Sequence, residues 1–183
     1  MSNYRNDLLE AKRQYKAKNY AKSCKIYTRL YNEIPFDNSA KYSYAWAVYQ
    51  AKVRNYASES QLFEDVDLIT NLTKQNDLNR TKLCVYTMSV FKVFKLLYHN
   101  NEYESLPYWL DKINPDFLDE VRFTRDGEIY PSNRESYYIY SSVTYFKLME
   151  YEKCIAISAK ALNSLTKFTA DNGIWFEWRT PNH

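Results

Sequence analysis

The side chains in this sequence that could do chemistry are mostly lysines, arginines and tyrosines, and their spacing suits contact rather than catalysis. Lys18, Lys22, Lys25 and Arg29 recur at helical spacing and form one basic stripe. With Arg5, Lys12 and Lys16 they could neutralise phosphates while the interleaved tyrosines stack on bases; such a stripe also serves as a solvated helix face. The groups that catalysis would need do not converge. The two histidines, His99 at a helix end and His183 at the last position, have no serine or cysteine triad context. Glu64, Asp65 and Asp67 form an acidic cluster, as do Asp116, Asp119 and Glu120, but adjacent helix positions point in different directions and hold no common ion. Cys24, Cys84 and Cys154 are far apart, lack metal-ligand spacing and are odd in number, so they read as buried free thiols in a reducing compartment. No glycine-rich phosphate loop occurs. The expectation is a protein that is not an enzyme, with no cofactor and no metal.

The elements that must position these residues are helices. Of 183 residues only two are glycine, Gly127 and Gly173, where average usage of about 7% would give roughly a dozen. That scarcity argues against tight hairpins and Rossmann turns. The five prolines, Pro35, Pro107, Pro115, Pro131 and Pro181, fall at or near proposed breaks. Tyrosine is the outlier at 19 residues, suited to positions where a ring is buried and its hydroxyl reaches the edge. The first residues carry no apolar signal core. The longest uncharged apolar run, Leu83 to Phe91, is far short of the ~20 residues that span a bilayer. A soluble, cytoplasmic protein with no membrane contact is expected. Charge is uneven: residues 1–56 hold 11 Lys+Arg against 4 Asp+Glu, while residues 57–130 hold 8 against 13.

Periodicity predicts an all-α chain of about eight main helices. They run over Asn3–Ala17, Tyr20–Glu33, Asn38–Arg54, Ser58–Lys74, Leu78–His99, Glu102–Lys112, a seventh to Met149 and an eighth over Tyr151–Lys167, with a short helix over Pro115–Val121. Ser132 and Glu135 form a capping box at the start of the seventh. The polar stretch Phe123–Asn133 reads as an ordered loop or insertion. One domain is expected over 1–167, followed by an aromatic tail over 168–183. The tail, with Trp175, Phe176 and Trp178, could cover the last hairpin, make a homodimer contact or lead into a further region.

Two segments repeat one pattern: YKAKNYAKSCKIYTRLYNEIP from Tyr15 and YFKLMEYEKCIAISAKALNSL from Tyr145. In each an aromatic closes one helix, a polar turn follows, a tyrosine (Tyr20, Tyr151) opens the next helix, and a small residue (Ser23, Cys154) comes three later. This resembles the tetratricopeptide repeat (TPR) superfamily, whose unit is a helical hairpin of about 34 residues. The first hairpin matches at Ala11, Tyr15, Tyr20, Ser23, Tyr27, Leu30 and Pro35, and the last at Tyr138, Ser142, Tyr145, Tyr151, Cys154, Ala161 and Leu162. The middle departs from the pattern: Trp46, Phe94 and Leu106 stand where the family prefers small residues.

The resemblance implies stacked antiparallel hairpins, a TPR-like α-solenoid, whose first helices line a concave groove for a peptide. Carried over hairpin by hairpin, that groove holds Arg5, Lys12, Tyr15 and Lys16, then Tyr44 and Gln50, then Lys92 and Lys95, then Tyr140 and Lys147. It is basic and tyrosine-rich, which implies a non-catalytic interaction scaffold for an acidic or C-terminal segment of a protein partner. The family's carboxylate clamp is not reproduced, because Leu8 stands where a lysine is expected and Lys12 where an asparagine is expected. The alternative is a nucleic-acid-binding or regulatory helical-repeat protein that uses the basic N-terminal hairpin.

Overall fold

The computed structural model describes residues 2–73, 83–118, 123–125, 128–130 and 132–172. The chain forms two compact units, Met1–Glu120 and Val121–His183. That division crosses the single domain expected over 1–167. It falls next to the polar stretch at Phe123–Asn133, which offers little apolar surface to bury.

The first unit holds α1 (Ser2–Lys16), α2 (Tyr20–Glu33), α3 (Asn38–Val48), α4 (Glu59–Leu72), α5 (Leu83–His99) and α6 (Leu106–Leu110). Each of these helices packs on the next in sequence. The second holds two three-residue strands, β1 (Phe123–Arg125) and β2 (Glu128–Tyr130), then α7 (Asn133–Lys147) and α8 (Tyr151–Asn172). The all-helical class is borne out apart from that strand pair, which corrects the reading of Phe123–Asn133 as a loop. Phe123 faces Tyr130 and Arg125 faces Glu128 in antiparallel register, leaving Asp126 and Gly127 between the strands. Asp-Gly is a pair that two-residue hairpin connections favour.

Side-chain chemistry sets the helix ends. The Asp37 carboxylate caps α3 by accepting from the Ala40 N–H at 2.7 Å, and the Ser58 hydroxyl caps α4. The capping box expected at α7 is present: Ser132 Oγ accepts from the Glu135 N–H at 3.2 Å, and Glu135 accepts from the Ser132 N–H at 2.7 Å. Beyond α3 the chain continues through a π-helical turn, Tyr49–Val53, which completes the expected helix to Arg54. The sixth helix is shorter than expected: a 3₁₀ turn (Tyr103–Ser105) precedes α6, and Pro107 sits in its first turn, where its missing N–H does least harm. α8 runs past the expected Lys167. The expected start of the fifth helix at Leu78 and the tail residues Trp175, Phe176 and Trp178 lie outside the described residues.

One helix-ending turn occurs three times. Lys18, Asn101 and Met149 all adopt φ near +60° (62°, 61° and 59°). In each, the N–H of that residue bonds the carbonyl three residues back, and the following N–H bonds the carbonyl five residues back: Lys18 to Tyr15 and Asn19 to Gln14, Asn101 to Tyr98 and Glu102 to Leu97, Met149 to Phe146 and Glu150 to Tyr145. This is the Schellman motif. Each turn also brings an aromatic before it against the tyrosine after it, edge to face: Tyr15 with Tyr20 at 5.2 Å, Tyr98 with Tyr103 at 5.8 Å, Phe146 with Tyr151 at 6.0 Å. The repeat seen in the sequence is thus a repeat of backbone geometry and ring packing.

Small residues then let the first and last pairs close up. Ser23 Oγ donates to the Ala11 carbonyl at 2.9 Å across α1–α2. At the matching positions Cys154 Sγ donates to the Ser142 carbonyl at 3.3 Å across α7–α8. In the middle copy those two places hold Phe94 and Leu106, both fully buried, so bulk replaces the cross-pair hydrogen bond. The core of the first unit runs through Tyr27 and Leu30 of α2, Val48, the π-turn residue Val53, Leu62, Val66 and Ile69 of α4, and Val90, Phe94 and Leu97 of α5. Within it the Asp65 carboxylate, only 3% exposed, accepts from Lys52 Nζ at 3.0 Å and Gln61 Nε2 at 3.2 Å.

Candidate peptide-binding surface

The strongest candidate site lies where α1 meets α3 in the first unit. On α1, Arg5, Lys12 and Lys16 are exposed and share one strip of the helix, since successive residues turn by about 100°. Tyr15 stands beside that strip, half-buried. Gln50, in the π-helical turn, accepts from Arg54 through its Oε1 at 3.3 Å. Burial pushes the Tyr15 phenol above its ordinary pKa, and neighbouring Tyr20 and Tyr42 add to this while Gln50 opposes it. Tyr42 and Trp46, four residues apart on α3, are also half-exposed. Trp46 is held edge-on between Tyr42 at 6.5 Å and Tyr49 at 5.8 Å. α3 takes this orientation because Ala40, Ala45, Ala47 and Val48 supply its buried side.

The electrostatics of this surface are one-sided. α1 carries two carboxylates, and both are occupied: Asp7 pairs with Arg29 of α2 at 2.7 Å, and Glu10 with Arg13 at 2.7 Å. Hydrogen bonds from Arg13 and Gln14 hold the Glu10 carboxyl down at about 2. Arg5, Lys12 and Lys16 have no ion-pair partner among the described residues. The surface therefore offers three cations, flat aromatic area and the amide of Gln50, a combination suited to carboxylates and apolar or aromatic side chains.

Several expected groove residues fall elsewhere. Tyr44 is corrected: at 3% exposure its ring stacks on Tyr27 at 5.9 Å and its hydroxyl bonds Thr28 at 2.9 Å, so it belongs to the core. Two residues apart on a helix point roughly oppositely, so burying Tyr44 is what leaves Tyr42 outside. Lys92 donates to the Arg54 carbonyl at 3.2 Å and closes the end of the π-helical turn, while Lys95 is exposed on α5. Tyr140, half-buried, and Lys147, exposed, lie on α7 in the second unit. Tyr42 and Trp46 were missed; two aromatics four apart in an alanine-rich helix were the available signal.

Some of the other charged groups serve the fold. Asp65 and Asp67, neighbours in the sequence's acidic cluster, diverge as expected: Asp65 goes to Lys52, and Asp67 to Lys112 at 3.1 Å. Burial lowers the Lys52 pKa, but the Asp65 hydrogen bond and charge overcome it and leave it raised. In the basic stripe of α2, Arg29 is engaged by Asp7, and Lys18 occupies the turn. Cys24 is buried and Cys154 half-buried, both free thiols, while the Cys84 side chain lies outside the described residues. Among the described residues no three His, Cys, Asp or Glu side chains are grouped to hold a metal ion, and no helix is long and apolar enough to cross a membrane. Comparison of the chain with protein-family models, with curated proteins and with solved structures finds no match in any of the three.

Proposed function

We propose that this chain is a non-catalytic interaction module, built from TPR-like stacked helical hairpins, that binds an acidic segment of a protein partner. The observation that carries this reading is the exposed Arg5, Lys12 and Lys16 strip beside half-exposed Tyr15, Tyr42 and Trp46. The cations attract carboxylates and raise the encounter rate. The rings supply contact area at small entropic cost, because they are already held by neighbouring rings. Gln50, whose Oε1 accepts from Arg54, can offer its amide N–H to a peptide carbonyl. Nucleic acid is the weaker reading, because Arg29, one end of the basic stripe, is tied to Asp7.

Fluorescence anisotropy of labelled Asp/Glu-rich peptides, with sequence-matched Lys/Arg-rich and neutral peptides as controls, tests the proposal. The expected result is binding of the acidic set alone, weakening as salt is raised. Equal binding of all three sets, or none by the acidic peptides at low salt, would reject it.

A further inference from the structure

We infer that Trp46 sets the specificity of the α1–α3 surface: the partner segment carries a large apolar side chain inside its acidic run, directly beside a carboxylate, and seats it on Trp46 and Tyr42. The inference rests on the acidic-segment reading above and adds what that segment must contain. Trp46 and Tyr42 lie one turn apart on α3 and are partly exposed, while Ala45, Ala47 and Val48 are buried. The indole is fixed on both sides. Tyr42 meets it at 87° and Tyr49 at 83°, both edge to face, and Tyr49 is itself only 5% exposed. A ring held in this way loses little freedom when a ligand covers it. Among the described residues neither the Trp46 indole N–H nor the Tyr42 hydroxyl finds a hydrogen-bond partner. Both can donate to a carbonyl or carboxylate of a bound segment.

The cations leave α1 and the rings leave α3, two helices in contact. A segment lying over both must send carboxylates one way and an apolar side chain another. Adjacent residues do this in either regular conformation: they point to opposite faces of a strand and stand about 100° apart on a helix. A run of Asp and Glu alone satisfies α1 but sets carboxylates against the negatively polarised ring faces, where they lose water without gaining a counter-charge. An apolar run covers the rings and leaves the three cations unmatched. The class that fits both is Asp/Glu–Phe–Asp/Glu, with leucine or another large apolar residue equally suited to the middle place.

Anisotropy measurements on the full chain test this with three labelled peptides of equal charge. One is an Asp/Glu run with a central Phe, the second has the same residues with Phe moved to one end, and the third has Ala at the centre. The central-Phe peptide is expected to bind at least about tenfold tighter than the other two. Trp46→Ala should remove that preference while leaving the affinity and salt dependence of the Ala peptide unchanged, and Trp46→Phe should keep part of it. Equal binding of the three peptides overturns the inference and leaves the acidic-segment reading standing. So does a folded Trp46→Ala chain that keeps the preference for central Phe, or that weakens all three peptides alike, since the ring then supports the surface without selecting the ligand. No binding of any of the three at low salt rejects the acidic-segment reading and this inference with it. Where Trp46→Ala disturbs the circular dichroism spectrum, the three-peptide comparison on the unchanged chain and on Trp46→Phe decides.

Discussion

The first and last helical hairpins share a turn, a ring pair and a cross-pair hydrogen bond, yet they differ in what happens to their outer side. α2 buries Cys24, Tyr27 and Leu30 because α3 follows and lies on them. α8 presents Ile155 and Leu162 to solvent. The turn is a local structure, fixed by one left-handed residue and two hydrogen bonds. The burial is not local: it depends on which element comes next. A helix-ending motif can therefore repeat faithfully while the stability contributed by each copy differs widely.

The comparison breaks first at the covered seat. Tyr27→Ala should cost the first unit about 3–5 kcal/mol, because a fully buried ring stacked on Tyr44 is lost. Ile155→Ala in the last hairpin should stay within about 0.5 kcal/mol, as exposed positions do. Urea unfolding of both variants measures the difference; equal costs would mean that the two outer sides are equally buried in solution.

The next effect is alkaline. Burial raises the pKa of Tyr27, Tyr44 and Tyr86 from 10.0. Burial acts the other way on Lys52 and Lys112, but hydrogen bonds and charges from carboxylate and tyrosine partners outweigh it and leave both raised from 10.5. Each of these groups holds its proton more tightly folded than unfolded. Their contribution is complete below about pH 10 and is lost as pH rises through the folded-state values. Helical ellipticity followed with tyrosinate absorbance should fall cooperatively above about pH 10. All of these residues lie in the first unit.

Lys52→Ala comes next, at about 2 kcal/mol. It leaves the buried Asp65 carboxylate with Gln61 alone, and the cost is below that of a fully buried pair because the ammonium is partly in water. Lys52→Ala combined with Asp65→Ala should recover part of the loss by removing the orphaned charge. The smallest effect concerns the turns themselves. Lys18→Gly and Met149→Gly should each stabilise by about 0.5–1 kcal/mol by relieving a side chain in the left-handed region. Asn101→Gly should gain less, since asparagine tolerates that region. Unequal gains at Lys18 and Met149 would sharpen the comparison by showing that the two turns are not equivalent.

Much of the fold was readable because the signals were local. Tyr20, Tyr103 and Tyr151 marked the helix starts after each turn, Ser132 and Glu135 marked a cap, and Leu62, Val66, Ile69 and Leu72 drew a buried stripe that the structure reproduces. What was not readable depended on tertiary partners. Asp65 was read only as one of an acidic cluster whose members point apart, and it is Lys52, thirteen residues earlier, together with Gln61 that holds it inside. The left-handed geometry of the turns was hidden because lysine, asparagine and methionine occupy the place that glycine usually takes. Tyr42 and Tyr44 are the clearest case. Alanines surround both and no apolar stripe sets the register, so the sequence alone did not decide which tyrosine faces the core. That one decision moved the expected binding surface from Tyr44 to Tyr42 and Trp46.

The most direct test of the central claim is the affinity of an acidic peptide for the full chain carrying Arg5→Glu, Lys12→Glu and Lys16→Glu together. All three side chains are exposed, so the circular dichroism spectrum and unfolding midpoint should stay close to those of the unchanged chain. The account predicts a fall in affinity of at least about tenfold, roughly 1.4 kcal/mol, and a shallower salt dependence. Unchanged affinity and salt dependence in a folded triple variant would contradict it.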